Sequence, residues 1–106
     1  IIIIFKPFYM EVIELNKEKT DRTVDFLRAI ANPVRIEIIK QLLKGEKCVT
    51  DIKKISDFTQ PNISQHLTIL RLNGIVECER DGHFKCYRLK NPEEIKKLLE
   101  IVAKIV

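Results

Sequence analysis

Apolar residues recur along the chain with a helical period first and a strand period only once. From Asp21 to Ala31, Val24, Leu27 and Ala31, joined by Phe26 and Ile30, predict an amphipathic helix. Asn32-Pro33 then supplies a cap followed by proline at the first helical position, and Val34, Ile38 and Leu42, with Ile39 and Leu43, extend a second stripe until Gly45. A short connection, Glu46 to Val49, leads to Thr50 as the cap of a short helix that turns Ile52 and Ile55 inward and breaks at Asp57-Phe58. Thr59 caps the next helix, which tolerates Pro61 in its first turn and buries Ile63, Leu67 and Leu70 before Asn73-Gly74 ends it.

From Ile75 the period falls to two. Val76, Cys78, Phe84 and Cys86 alternate with Glu77, Glu79 and Lys85 around Asp81-Gly82, the pattern of a two-stranded hairpin. Asn91-Pro92-Glu93-Glu94 repeats the cap-plus-proline start, and Ile95, Leu98, Leu99, Val102 and Ile105 form one broad apolar face on a final helix. A stripe at the end of so short a chain requires a cover.

This order predicts a mainly α chain with a small β-hairpin, that is, a winged helix-turn-helix. One domain is expected over residues 21–106, with the helix-turn-helix at about 49–73, the wing at about 75–89 and a C-terminal dimerisation helix at about 92–106. Residues 1–20 are read as an N-terminal extension whose order the pattern does not set. In its apolar opening, Lys6 and Pro7 interrupt the run Ile1–Phe5 far short of a membrane span, and a secretory signal is not recognisable, so a cytoplasmic protein is expected.

Charge narrows the chemistry. The 106 residues carry 19 basic and 15 acidic side chains, net +4, and the whole excess lies in residues 32–90, with eleven basic groups against seven acidic. At 45% hydrophobic residues the chain is too apolar for disorder, yet so small a domain gains from a partner, most simply a second copy. Three glycines, no tryptophan and no glycine-rich phosphate loop leave a nucleotide-dependent enzyme no cofactor site. An enzyme is not expected: Ser64 and His66 lack a third orienting group, and no carboxylate pair sits in an apolar setting.

The second helix of the pair carries the candidate chemistry. With Ile63, Leu67 and Leu70 inward, its outer face offers Gln60, Asn62, Ser64, Gln65 and Thr68, with His66 at the boundary and Arg71 at the far end. Gln and Asn can bond adenine in bidentate fashion, and Ser and Thr suit phosphate or base edges. A merely solvated face would more usually be rich in Glu and Lys, yet Gln60 to Ile69 holds no formal charge. On the hairpin, Arg80, His83, Lys85 and Arg88 suit a wing that reaches a phosphate backbone.

These segments, Phe26 to Leu43, Gly45 to Ile52, Gln60 to Val76 and Arg80 to Leu89, together resemble the ArsR/SmtB-type winged helix repressors. The resemblance implies a homodimeric DNA-binding transcriptional regulator, usually a repressor, that reads an operator with Gln60 to Leu72 and dimerises through its first and last helices. It supplies a cover for the stripe from Ile95 to Ile105. It also exposes departures. Where arsenic-sensing members carry two thiolates around a valine, this chain reads Cys48-Val49-Thr50, and where zinc-sensing members carry ligands on the last helix, Asn91 to Val106 holds neither His nor Cys. No metal site and no cofactor are expected, and the inducer is left open. The alternative is a winged helix serving as a protein-interaction module in a larger complex.

Three cysteines stand apart. Cys48 reads as a small buried residue or a thiol sensor. Cys78 and Cys86 occupy opposite hairpin strands, and their relation depends on the loop. An Asp81-Gly82 loop puts them on opposite faces, Arg80-Asp81-Gly82 sets them diagonally on one face, and only Asp81-Gly82-His83 opposes them for a disulfide. Structural cysteines, a redox pair and a Cys78, His83, Cys86 metal site rank in that order.

Overall fold

The computed structural model describes residues 15–55 and 60–106, without side chains at 53–55, 60, 61 and 81. The break expected at Asp57-Phe58, the Thr59 cap, the burial of Ile55 and the run Ile1–Phe5 lie outside the described residues. The order is α1 (Lys17–Ile30), α2 (Pro33–Leu42), β1 (Lys47–Cys48), α3 (Val49–Ile55), α4 (Gln60–Leu72), β2 (Val76–Asp81), β3 (Phe84–Leu89) and α5 (Pro92–Ile105). It is a winged helix-turn-helix.

The two longest inner helices form where their caps direct. Asn32 Oδ1 accepts the Val34 and Arg35 amides at 2.9 and 3.1 Å, with Pro33 in the first turn, so α2 starts where cap and proline coincide. α4 ends in a Schellman turn: the Ile75 amide donates to the Leu70 carbonyl at 2.9 Å and the Gly74 amide to that of Arg71 at 3.1 Å. Gly74 takes φ +73° there, a conformation a side chain would resist. Ile38, Ile39, Ile52, Ile63, Leu67, Leu70 and Ile75 are fully enclosed, locking α2, α3 and α4 into one core.

Several elements depart from expectation. α1 begins at Lys17, a turn before Asp21, because Asn16 Oδ1 accepts the Lys19 amide at 2.8 Å and caps a polar first turn that shows no apolar period. Of its stripe, Ala29 and Ile30 are buried, whereas Val24 and Leu27 stay 38% and 49% exposed. α5 begins at Pro92 as expected, but the Asn91 side chain makes no capping bond. The segment read as a plain connection contains β1, which pairs with β3 and turns the ribbon into a three-stranded antiparallel sheet of order β1-β3-β2. α3 accordingly starts at Val49, with Thr50 inside its first turn.

The hairpin register is none of the three considered from sequence. Asp81 opposes Phe84, so the loop is Gly82-His83, with Gly82 at φ +63° in the first loop position, where a type II′ turn needs it. Cys78 therefore opposes Tyr87 and Cys86 opposes Glu79, which puts the two cysteines on opposite faces. The possible Cys78–Cys86 disulfide, which only an Asp81-Gly82-His83 loop would have allowed, is thereby excluded. Cys86 lies directly across the other ladder from Cys48, to which it is disulfide-bonded, and Cys78 is the free thiol.

Candidate nucleic-acid interface

α4 presents its outer face because its inner one is consumed by the core. Asn62, Ser64, Gln65, Thr68 and Arg71 are exposed, while Ile63, Leu67 and Leu70 are wholly enclosed. Gln60 opens the helix, and its side chain lies outside the described residues. Thr68 Oγ1 donates to the Ser64 carbonyl at 2.9 Å, leaving the hydroxyl lone pairs available to an incoming donor. The row is polar and uncharged as far as Thr68 and gains its cation only at Arg71.

His66 stands apart from that row. Arg35 Nη1 lies 3.1 Å from its Nδ1, and because a guanidinium can only donate, Nδ1 is the acceptor and the neutral ring carries its proton on Nε2. Arg35 also donates through Nε to the Ala29 carbonyl and through Nη2 to that of Arg28 at 3.3 Å, so α1, α2 and α4 converge on one side chain. Burial first, and the Arg35 charge second, hold the His66 pKa below the usual imidazole value. This polar junction was not legible in the sequence, since the two residues are 31 apart and no periodic pattern connects them.

The wing meets α4 across a cleft of about 360 Å³ lined by Val49, Thr50, Ser64, Thr68, His83, Phe84, Lys85 and Tyr87. Sequence-predicted groups from helix and hairpin are thus brought to one place: Ser64 and Thr68 on one wall, His83 and Lys85 on the other. Arg80 opposes Lys85 in the ladder and shares its face. Tyr87 closes the floor, 7% exposed; burial and the adjacent Cys78 thiol keep its hydroxyl above the ordinary phenol range, and therefore neutral.

Arg88 is not part of that cationic group. Its guanidinium contacts Glu77 and Glu79 at 3.0 Å each and Glu46 at 3.6 Å on the opposite face of the sheet. At 40% exposure these bridges contribute little to stability, but they occupy the charge. Of the four wing residues expected to meet a backbone, Arg88 is thus engaged elsewhere, leaving Arg80, His83 and Lys85.

The remaining expected surface is the apolar face of α5. Ile95 is buried at 4% and Leu98 and Leu99 pack partly against the core, while Ile101, Val102 and Ile105 are 57%, 44% and 77% exposed. Val24 and Leu27 of α1 are exposed too, so the first and last helices leave apolar surface uncovered. Among the described residues no helix is long and apolar enough to cross a membrane, and no group of three or more His, Cys, Asp or Glu side chains could hold a metal ion.

Residues 32–77 match the family model of the bacterial regulatory proteins of the arsR type, a span from the α2 cap into β2. The chain is 39% identical over 87 residues to the HTH-type transcriptional repressor SmtB of Mycobacterium tuberculosis, covering 82% of this chain and 64% of SmtB, so it spans just under two thirds of that relative. It is 30% identical over 89 residues to the uncharacterized HTH-type transcriptional regulator MJ1325 of Methanocaldococcus jannaschii, covering 83% of this chain and 99% of MJ1325. In structure it is similar to the homodimeric winged helix-turn-helix DNA-binding domain Mb0332 of Mycobacterium bovis, with a TM-score of 0.74 at 26% identity, covering 88% of this chain and 91% of that one. By family match, by relatives along most of its length and by fold, the chain belongs to the arsR family of bacterial regulatory proteins.

Proposed function

We propose that this chain is a homodimeric, sequence-specific DNA-binding transcriptional repressor acting in the cytoplasm, with no catalytic role. The observation that carries the reading is the cleft in which the α4 hydroxyls of Ser64 and Thr68 face His83 and Lys85 of the wing. Such a surface separates two tasks: short polar side chains enter a major groove, and cations beside it hold the phosphates. Asn62, Ser64, Gln65 and Thr68, with Gln60 at the helix start, read or position the duplex; Arg71, Arg80, His83 and Lys85 anchor its backbone. His66 acts by fixing α4 through Arg35.

The dimer forms through the exposed apolar residues of α1 and α5, as the likeness to homodimeric Mb0332 supports. Two copies then present two α4 helices to an inverted repeat whose half-sites lie about one helical turn, or a multiple of it, apart. Control does not run through the two-thiolate arsenic site, because Thr50 stands where its second cysteine would be, nor through a zinc site on the last helix, and a thiol-responsive control is the reading that remains. Selection of bound genomic fragments, followed by footprinting, tests the assignment. A recovered inverted repeat protected on both half-sites is expected; no enriched sequence, with a stoichiometric protein partner recovered instead, would point to the interaction-module alternative.

A further inference from the structure

We propose that Cys48 and Cys86 form a thiol-controlled clamp that sets the spacing between the wing and the helix-turn-helix. The clamp deepens the DNA-binding reading and rests on it only for its effect on affinity. Cys48 immediately precedes Val49 and Thr50, and Cys86 lies between Lys85 and Tyr87; all four of these neighbours line the cleft. The disulfide therefore ties β3 to the start of α3 beside the cleft, on the sheet face that carries Arg88. Without it, β1 holds β3 through a strand of only two residues, Lys47 opposite Tyr87 and Cys48 opposite Cys86. A ladder that short does not resist opening by itself.

Accessibility sets the direction of attack. Cys48 is half-buried and Cys86 is 6% exposed, so a thiolate from solvent reaches the Cys48 sulfur first. In that step a dithiol reductant bonds to Cys48 while the S–S bond breaks and Cys86 leaves as a thiolate, which takes up a proton. The second thiol of the reductant then displaces Cys48, leaving two protein thiols and an oxidised, cyclic reductant. A low-molecular-weight disulfide runs the sequence in reverse. Cys78 takes no part, because it lies on the other face of the sheet, opposite Tyr87.

The test compares the wild-type protein with and without dithiothreitol, by thiol titration, by amide hydrogen exchange, and by affinity for the duplex recovered in the genomic selection. The oxidised protein is expected to show one titratable thiol and the reduced protein three. Exchange at β1 and at Phe84 to Tyr87 should rise about tenfold or more on reduction while α2 stays protected. A closed clamp preorganises the wing, so affinity should fall about tenfold when it opens. Cys48→Ser should behave as the reduced protein in either buffer, and Cys78→Ser should keep both states distinct. Three free thiols after incubation with oxidised glutathione, exchange indifferent to reductant, or equal affinity in both states would each overturn the clamp. Exchange that responds while no duplex is recovered in either state upholds the clamp and removes the DNA-binding reading instead.

Discussion

Cutting the Cys48–Cys86 bond tests the architecture as well as its control. The bond joins residues 38 apart and encloses α3, α4 and the whole of β2 in one covalent loop. Loop-closure entropy for a ring of that size removes about 4 kcal/mol of freedom from the unfolded chain at 25 °C. The nine-residue ring that Cys78 and Cys86 would have closed is worth only about 2.5 kcal/mol by the same relation. Cys48→Ser should therefore lower stability by about 4 kcal/mol, and Cys78→Ser, which removes a thiol outside any ring, should leave it nearly unchanged.

Urea unfolding under non-reducing conditions measures both, at one fixed protein concentration because association contributes to the apparent stability. With a denaturant slope of about 2 kcal/mol per molar, the Cys48→Ser midpoint should fall by about 2 M. Wild type in reductant should fall to the same midpoint, and reductant should not move the variant further. A Cys48→Ser midpoint within about 0.5 M of wild type, or an equal loss in Cys78→Ser, would refute the assignment of the ring.

Four further outcomes follow from the site. Gln65→Ala should cost about 1–3 kcal/mol on the specific duplex and little on random DNA, measured by titration at constant salt. Lys85→Ala should weaken all duplexes alike and reduce the slope of log affinity against log salt by about one. Because the His66 pKa is lowered on folding, the unfolded chain binds its proton first as pH falls through 6.5, so this residue's share of stability is present above that pH and lost below it; the stability gap between wild type and His66→Asn should narrow accordingly in denaturation series from pH 7.5 to 5.5. Val102→Glu places a charge on the exposed apolar face of α5 and should shift the sedimenting species from dimer toward monomer without loss of helix content.

What the sequence disclosed, and what it hid, divides by the range of the interaction. α2 was legible to within two residues and the end of α4 to within one, because cap, proline, stripe and stop are local signals, and the outward row of α4 follows once Ile63, Leu67 and Leu70 are turned in. α1 was legible as a helix but not in its facing, since periodicity marks apolar edges without saying which meets its own core: Ala29 and Ile30 do, Val24 and Leu27 do not. The hairpin was found and its register missed, because Asp81-Gly82 and Gly82-His83 both make two-residue loops; the faces are the same in either, but each partner slides by two residues, from Lys85 to Tyr87 opposite Cys78. β1 was invisible for a simpler reason. Two residues carry no period, and their strand exists only because β3 is there to pair with.

That register also gives the wing its polarity, which net charge alone conceals. Arg80 and Lys85 oppose one another on the face that meets the cleft, whereas Glu77, Glu79 and Arg88 share the other, where Glu46 adds a further carboxylate. Among the described side chains, three carboxylates around one guanidinium leave that outer face with an excess of two negative charges, while the cleft face keeps Arg80 and Lys85, with His83 at the tip. A phosphate backbone would thus be drawn to one side of a thin sheet and repelled from the other, most strongly within the roughly 8 Å screening length of physiological salt. On the proposed reading that polarity favours one docking orientation of the wing, the one that would also bring Ser64 and Gln65 of α4 toward the groove. On the same reading the Cys48–Cys86 tie would act on the placement of an already oriented surface, so that a bond bearing no charge would govern an electrostatic contact.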